Sequence, residues 1–149
     1  METKICVIGL GYVGLPLARL FSTKYRTIGF DMNQRRVDTL MVGHDATLEV
    51  SDELLQDAIN NHGFKCTANI DEIRDCNFYV VAVPTPIDKD NNPDLTPLIG
   101  ASTTVGKVIS EGVSACRAYK TAASALHALE SVPGFKRLSQ TVIGKLGKS

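Results

Sequence analysis

The sequence predicts an α/β protein, with a Rossmann-like parallel sheet and helices on both faces. Three observations favour this fold class. Short apolar runs alternate with segments of helical periodicity, a glycine-rich loop joins the first run to the first helical segment, and the second run ends at an acidic residue. The length of 149 residues and the hydrophobic content of 44% suit one globular domain of this class.

Four apolar segments predict the strands. KICVIG, residues 4–9, is short and rich in β-branched residues, which is typical of a strand buried inside a parallel sheet. NFYVVAVP, residues 77–84, has the strongest strand pattern and ends at a proline. The predicted strands are 4–9, 26–31, 64–67 and 77–84, so we expect an incomplete Rossmann sheet of about four strands.

The segments between these strands carry the helical pattern. In segment 13–24 apolar residues recur at helical spacing, and Pro16 lies in the first turn, where its missing N–H costs little. Asn33 and Ser51 are candidate N-caps of the next two helices. A polar loop at 85–97 precedes the last helix. The predicted helices are 13–24, 33–43, 50–63 and about 94–112, with a polar helical turn at 69–76.

The loop after the first strand has the form G-x-G-x-x-G, made by Gly9, Gly11 and Gly14. It follows a predicted strand and opens a predicted helix, which is the context that a dinucleotide-binding loop requires. Gly9 permits the sharp turn, Gly11 lets the backbone approach a pyrophosphate, and Gly14 lets the helix pack close to the strand. The helix N-terminus adds unpaired N–H groups for the phosphates. The competing interpretation is a purely structural turn.

An acid at the end of the second strand supports the first interpretation. Asp31 lies 20 residues after Gly11, where a carboxylate can accept hydrogen bonds from the hydroxyls of the adenosine ribose. It would repel a 2′-phosphate, so it favours NAD over NADP. Arg35 and Arg36 lie nearby and could bind a 2′-phosphate, but we expect Asp31 to outweigh them. The alternative is an Asp that is simply solvated.

Composition argues against several other classes of function. The four cysteines contain no C-x-x-C pair, and the three histidines have no metal-ligand spacing, so we predict no metal site. No apolar run approaches the roughly 20 residues that cross a bilayer, and the N-terminus lacks signal-peptide features, which together predict a cytoplasmic protein without a membrane span. Few basic residues and no aromatic platform argue against nucleic-acid binding.

Four segments together resemble a known family. VIGLGYVGLPLA (7–18), GFDMNQRRV (29–37), VVAVPTPID (80–88) and NPDLTPL (92–98) are similar to the N-terminal NAD-binding domain of the UDP-glucose/GDP-mannose dehydrogenases. These enzymes are nucleotide-sugar 6-dehydrogenases, and the similarity points to their bacterial branch acting on UDP-N-acetylhexosamines. The resemblance covers about residues 3–112. Taken without the family, VPTP would be interpreted as a strand followed by a proline-rich turn.

The resemblance implies which residues hold NAD. Backbone amides of the loop bind the pyrophosphate, the end of the second strand binds the adenine ribose, and the end of the fourth strand lines the nicotinamide side. Together with Gly9 and Gly14 of the loop, the implied residues are Gly11, Tyr12 and Val13 at the pyrophosphate, Asp31 with Arg36 alongside at the ribose, and Val83, Pro84 and Thr85 at the nicotinamide.

The family oxidises the C6 alcohol of a UDP-sugar to a uronate, a polysaccharide precursor, through a covalent intermediate on a cysteine. The segments that supply this cysteine and its acid and lysine partners have no counterpart here. We therefore assign no catalytic residue, and we expect the chain alone to be inactive and the UDP-sugar to bind only where the missing domain is supplied. Full-length relatives are expected to be homo-oligomers. A non-catalytic dinucleotide-binding module or a vestigial fragment is the alternative.

The family pattern is lost after Gly112, which divides the chain into a domain at 1–112 and an extension at 113–149. The charge changes at the same place: residues 1–113 carry 10 Lys/Arg and 15 Asp/Glu, whereas residues 114–149 carry 6 Lys/Arg and one acid. We expect a truncated or rearranged gene product whose helical extension covers a sheet edge or is poorly ordered. A basic amphipathic helix that binds a membrane surface or a partner is the other possibility.

Overall fold

The computed structural model describes residues 2–84, 86–108 and 114–117. Within them, parallel strands form a single sheet in the order β3-β2-β1-β4-β5, with β1 at its centre. The elements in chain order are β1 (Lys4–Ile8), α1 (Gly14–Ser22), β2 (Arg26–Phe30), α2 (Gln34–Met41), α3 (Asp52–Asn61), β3 (Lys65–Thr67), a 3₁₀ turn (Ile70–Ile73), β4 (Phe78–Val81), α4 (Thr96–Val108) and β5 (Ser114–Arg117).

The predicted fold class, a Rossmann-like parallel sheet with helices on both faces, is confirmed. The four predicted strands are present as β1 to β4, and a short further strand, β5, pairs with β4. Residues 114–117 were assigned to a helical extension. SACR is too short and too mixed for periodicity to indicate a strand, so its pairing with β4 decides its conformation. The predictions for 118–149 lie outside the described residues.

The sheet separates two apolar layers. Along β1, Ile5 and Val7 contact the layer formed with α1, α2 and α3, whereas Cys6 and Ile8 contact the layer formed with α4 and the 3₁₀ turn. All four side chains are almost completely buried. Burial on both faces explains why this strand is a continuous apolar run. Among the described residues, no helix has the length and apolarity needed to cross a membrane.

The strand order reverses at the centre of the sheet. From β1 the chain builds β2 and then β3 on one side, and it crosses over to add β4 and β5 on the other. The carboxyl ends of β1 and β4 therefore lie side by side at a topological switch point, where the loops that follow them diverge. In open α/β sheets a crevice forms at this position, and ligands bind there.

Two glycines make the turn from β1 into α1 possible. Gly9 has a φ of 95°, and a Cβ on it would lie 2.9 Å from the carbonyl oxygen of Ala82, which follows β4. A Cβ on Gly14 would overlap the carbonyl oxygen of Gly9. Both contacts are with backbone, which cannot rotate away as a side chain can. The predicted roles of these two glycines in the turn and in close packing thus have a direct steric basis.

We predict that Gly14→Ala destabilises the protein. The added methyl group must displace the Gly9 carbonyl, and overpacking of this kind costs about 1–3 kcal/mol. Urea unfolding measures the loss. Gly106→Ala in α4 is the matched control, since nothing lies within 4 Å of a Cβ there, and it should leave stability equal or higher. Equal stability of the two variants would contradict the proposed steric conflict.

Candidate functional site

A cavity of about 250 Å³ opens at the carboxyl ends of β1, β2 and β4. It brings together residues that are far apart in the sequence, from the glycine loop, the end of β2, the segment after β4 and α4. Sequence analysis missed the contribution of α4, because helical periodicity indicates a buried face but not which residues reach its rim. The lining residues are Ile8, Gly9, Leu10, Gly11, Phe30, Asp31, Met32, Ala82, Val83, Pro84, Pro97, Ala101 and Thr104.

The N-terminus of α1 presents unpaired amides beside this cavity. The N-cap residue is Val13, which has no side chain that could cap the helix. Within the described residues, the backbone N–H groups of Gly11, Tyr12 and Val13 donate no hydrogen bond. Tyr12 is 69% exposed, and Gly11 lines the cavity. Free amides at the positive end of a helix form a binding site for an anionic group such as a phosphate.

Gly11 differs from the other two glycines of the loop. A Cβ built on it has no atom of the described protein within 4 Å, so no internal contact requires glycine at this position. The open space lies next to the unpaired amides and the cavity. A ligand that contacts the backbone would fill this space, and the loop therefore fits a bound pyrophosphate.

Asp31 follows β2 and stabilises the loop. Its Oδ2 accepts a hydrogen bond from the Leu10 amide at 3.1 Å, and its Oδ1 accepts one from the Asn33 amide at 2.9 Å. Its own amide donates to the Thr67 carbonyl at 3.1 Å. Each carboxylate oxygen has a second lone pair, so the side chain can still accept hydrogen bonds from hydroxyl groups in the cavity.

Leu10 occupies a slot that another glycine creates. Its side chain is fully buried, and a Cβ on Gly29 of β2 would lie 2.8 Å from Leu10 Cδ2 and 3.3 Å from the ring of Phe64. The missing side chain at Gly29 therefore gives Leu10 its place in the core. Gly29 thus contributes to the site by making room for the Leu10 side chain, and it was not among the residues predicted from the motif.

Arg36 lies beneath the loop. Its Nε and Nη2 both donate to the Leu10 carbonyl oxygen, at 3.0 and 2.7 Å. Its Nη1 lies 2.8 Å from Asp45 Oδ1, an ion pair in which the N–H is not aligned for a hydrogen bond. Arg36 is not one of the residues lining the cavity. The structure thus places it near Asp31, as expected, but with its guanidinium bound to the Leu10 carbonyl and Asp45 and outside the cavity lining.

Asp45 anchors this arrangement, and sequence analysis did not identify it. Its side chain is fully buried. Burial by itself raises the pKa of Asp45, but hydrogen bonds from the Thr47 hydroxyl and from the Val50 and Thr47 amides, together with Arg36, outweigh that effect and lower the pKa to about 2. The Asp-x-Thr sequence is typical of a local turn, yet no local pattern indicates an ion pair across the nine positions to Arg36.

Val83 and Pro84 border the cavity opposite Asp31, immediately after β4. Val83 Cγ1 would lie 3.1 Å from a Cβ on Gly9, so the end of β4 packs against the glycine loop. Val83 is half-buried and Pro84 is exposed. Thr85, predicted beside them, lies outside the described residues.

The described cysteine side chains are unsuited to nucleophilic chemistry. Cys6, Cys66 and Cys76 are buried free thiols, and none of them lines the cavity. Burial raises the pKa of Cys66 to about 12 and also raises that of Cys6. A thiol must ionise to attack a substrate, so Cys6 and Cys66 are structural. A hydrogen bond with Cys6 lowers the pKa of Cys76, but this thiol is buried away from the cavity. Within the described part of the chain, no group of three His, Cys, Asp or Glu residues could hold a metal ion.

Comparison with known proteins supports the resemblance noted in the sequence. The pattern of the UDP-glucose/GDP-mannose dehydrogenase family, NAD binding domain, matches residues 3–117. The match includes β5 and so extends past the boundary expected at residue 112.

Similar curated proteins are much longer. The chain is 50% identical over 111 residues to a UDP-N-acetyl-D-glucosamine 6-dehydrogenase of Salmonella typhi, and 47% identical over 111 residues to one of Pseudomonas aeruginosa. The matched stretch is 74% of this chain but only 25% and 26% of those proteins. The chain therefore spans about a quarter of the length of the curated relatives it matches.

Solved structures agree in fold. A UDP-D-ManNAc dehydrogenase from Pyrococcus horikoshii superposes with a TM-score of 0.75 at 26% identity, covering 95% of this chain and 33% of that one. The similarity is thus to one part of a larger enzyme.

The lowered pKa of Asp45 predicts a dependence of stability on pH. The folded pKa of about 2 lies below the ordinary value of 3.8, so the contribution is present above about pH 4 and is lost as the pH falls towards 2. The shift corresponds to about 2 kcal/mol. In urea unfolding, the stability difference between wild type and Asp45→Asn should shrink by about this amount between pH 5 and pH 2.

Asp90→Asn, in an exposed loop, controls for the change in net charge. A difference between wild type and Asp45→Asn that stays constant over this pH range would show that Asp45 is not held as a buried, ionised carboxylate.

Proposed function

The chain belongs to the UDP-glucose/GDP-mannose dehydrogenase family as its NAD-binding domain, and from this premise we propose that it is the cofactor-binding part of a UDP-N-acetylhexosamine 6-dehydrogenase. The observation that carries the proposal is the set of three unpaired amides beside the open space at Gly11. A dinucleotide needs both features, because its pyrophosphate is anionic and must approach the backbone closely.

The pyrophosphate is bound by the amides of Gly11, Tyr12 and Val13. These groups immediately precede α1, whose dipole adds favourable potential for negative charge at its N-terminus. Gly9 and Gly14 act indirectly, because they permit the turn that brings the amides to the carboxyl edge of the sheet. In the proposed pyrophosphate site no side chain supplies a positive charge, so binding of the pyrophosphate depends on the path of the backbone.

Asp31 binds the adenosine ribose. Its two oxygens each accept one amide and retain capacity for the ribose hydroxyls. The carboxylate also repels a 2′-phosphate, which favours NAD over NADP. Arg36 lies near Asp31, and Leu10 connects the two side chains by its amide and its carbonyl. Arg36 supports the site by donating to the Leu10 carbonyl.

Val83, Pro84 and Thr85 line the nicotinamide side in this proposal. Support comes from the position of the first two at the rim of the cavity and from the family resemblance of VPTP. NAD, when bound, accepts a hydride from the substrate. The chain's own residues hold and orient the cofactor, and the end of β4 provides an apolar wall beside the loop.

The substrate class follows from the relatives. The similar proteins of Salmonella typhi and Pseudomonas aeruginosa are named for action on UDP-N-acetyl-D-glucosamine, and we extend that class to the complete enzyme of which this chain is a part. The described thiols are buried and none of them lines the cavity, so the chain alone is proposed to be inactive. The working enzyme is a cytoplasmic homo-oligomer, and the three free thiols suit a reducing compartment.

Gly11→Ala tests NAD binding. The added methyl group meets no protein atom, and loss of unfolded-state entropy should leave stability equal or raised by about 0.4–1 kcal/mol. It does occupy the space through which the pyrophosphate approaches the amides. We expect the dissociation constant for NAD, measured by isothermal titration calorimetry, to rise about tenfold or more.

Gly106→Ala is again the control, because it adds the same methyl group to an open position away from the cavity lining. Its NAD affinity should equal that of wild type. Unchanged NAD affinity in Gly11→Ala, or no NAD binding by wild type, would contradict the proposed function.

A chimeric protein tests the reaction class. Residues 1–112 of this chain joined to the remaining three-quarters of the Salmonella typhi relative should oxidise UDP-N-acetyl-D-glucosamine with reduction of NAD, followed at 340 nm. The chain alone should show no turnover. Carrying Gly11→Ala in the chimera should raise the KM for NAD. A chimera that folds and binds NAD but turns over no UDP-sugar would refute the proposed substrate class.

A further inference from the structure

A buried ion pair lies beneath the glycine loop and outside the cavity. The Arg36 side chain is 13% exposed and the Asp45 side chain is fully buried. Two N–H groups of Arg36 are bonded to the Leu10 carbonyl, and a third nitrogen faces Asp45. Neither residue lines the cavity. The guanidinium is therefore held on the Leu10 carbonyl and Asp45, outside the lining of the space in which a ligand would lie.

Arg36 lies close to the ribose site, where a free arginine could bind a phosphate. A guanidinium is the side chain best suited to binding a phosphate, because it donates two parallel hydrogen bonds and stays charged. Arg36 is separated from Asp31 by the Leu10 residue alone: the Leu10 amide donates to Asp31, and the Leu10 carbonyl accepts from Arg36. If its guanidinium were released, Arg36 could reach the 2′-phosphate of an NADP whose ribose lies at Asp31.

We propose that Asp45 is a specificity-determining residue, which holds the Arg36 guanidinium on the Leu10 carbonyl and so withholds it from the 2′-phosphate of NADP. The inference rests on the proposed function, since it concerns selectivity at the same dinucleotide site. Asp45 touches no cofactor atom in this scheme. It acts as a positioning residue through Arg36.

Asp45 is suited to this role because it cannot follow Arg36 into the cavity. Its carboxylate accepts hydrogen bonds from the Thr47 hydroxyl and amide and from the amides of Glu49 and Val50, all between 2.7 and 3.0 Å. The turn from 45 to 50 thus fixes the anion. Its lowered pKa keeps it charged throughout the neutral range.

The test compares NAD and NADP binding by the full chain with Asp45→Asn, measured by calorimetry at one fixed salt concentration. Asparagine keeps the shape of the side chain and removes the charge that holds Arg36, while its NH2 group also replaces one oxygen that accepts hydrogen bonds from the turn. The ratio of the NADP to the NAD dissociation constant should fall about tenfold, the size expected for one new charge-assisted interaction. Thermal unfolding establishes that the variant is folded.

Two second-site variants identify the responsible arginine. Adding Arg36→Met to Asp45→Asn should restore the wild-type ratio, because the released cation is gone. Adding Arg35→Met instead is the matched control, since Arg35 is the exposed neighbour of Arg36 on α2. In this double variant the gain in relative NADP affinity should persist. A ratio unchanged within twofold, an equal weakening of both dinucleotides, or a gain that survives Arg36→Met would each overturn the proposal.

A second measurement uses the unaltered chain and covers the case in which Asp45→Asn does not fold. The Arg36 Nε–H resonance in NMR should exchange slowly with water and should not shift when NADP is added. Fast exchange, or a shift that saturates with NADP, would show that the guanidinium is free and would overturn the proposal. The exchange rate is measured without a dinucleotide, so it tests whether Arg36 is held in place even if the wild-type chain binds neither cofactor. Failure of the wild-type chain to bind either cofactor would instead contradict the proposed function.

Discussion

The site depends on how Leu10 is held. Three independent contacts fix this one residue: its side chain fills the slot over Gly29, its amide bonds to Asp31, and its carbonyl bonds to Arg36. Leu10 lies between the end of β1 and the first helical turn. Once it is fixed on both polar groups and on its side chain, the direction of the following amides is fixed as well. A binding site made of backbone requires this, because it has no side chain that could adjust to a ligand.

The glycines in and around the loop divide into two groups, according to what an added side chain would contact. Gly9, Gly14 and Gly29 face other parts of the protein, and a methyl group on any of them would press on the backbone or on the core. Gly11 faces open space. One sequence motif thus combines two glycines that the fold requires with a third, Gly11, that no contact within the described protein requires and that a bound ligand would account for. The pattern G-x-G-x-x-G is a weak indicator by itself because folding alone accounts for part of it.

Sequence could predict those features that depend on local pattern. The strands at 4–9 and 77–84 were evident because burial on both faces demands a continuous apolar run, and Asp31 was evident because parallel strands end at a common edge. β5 was not predictable, since SACR becomes a strand by pairing with β4. Asp45 was missed for a related reason: an acid in a polar loop resembles a solvated residue until the fold brings Arg36 to it.

The charges around Leu10 explain why the loop can contain an arginine and still present a negative group to the cavity. Asp31 accepts from the Leu10 amide and Asp45 pairs with Arg36, but of these two anions only Asp31 lines the cavity. Asp45 neutralises the guanidinium where both side chains are largely removed from solvent. The field in the cavity is consequently that of the Asp31 carboxylate and the helix amides. Hydroxyl groups and a pyrophosphate match that field, whereas a further phosphate beside Asp31 does not.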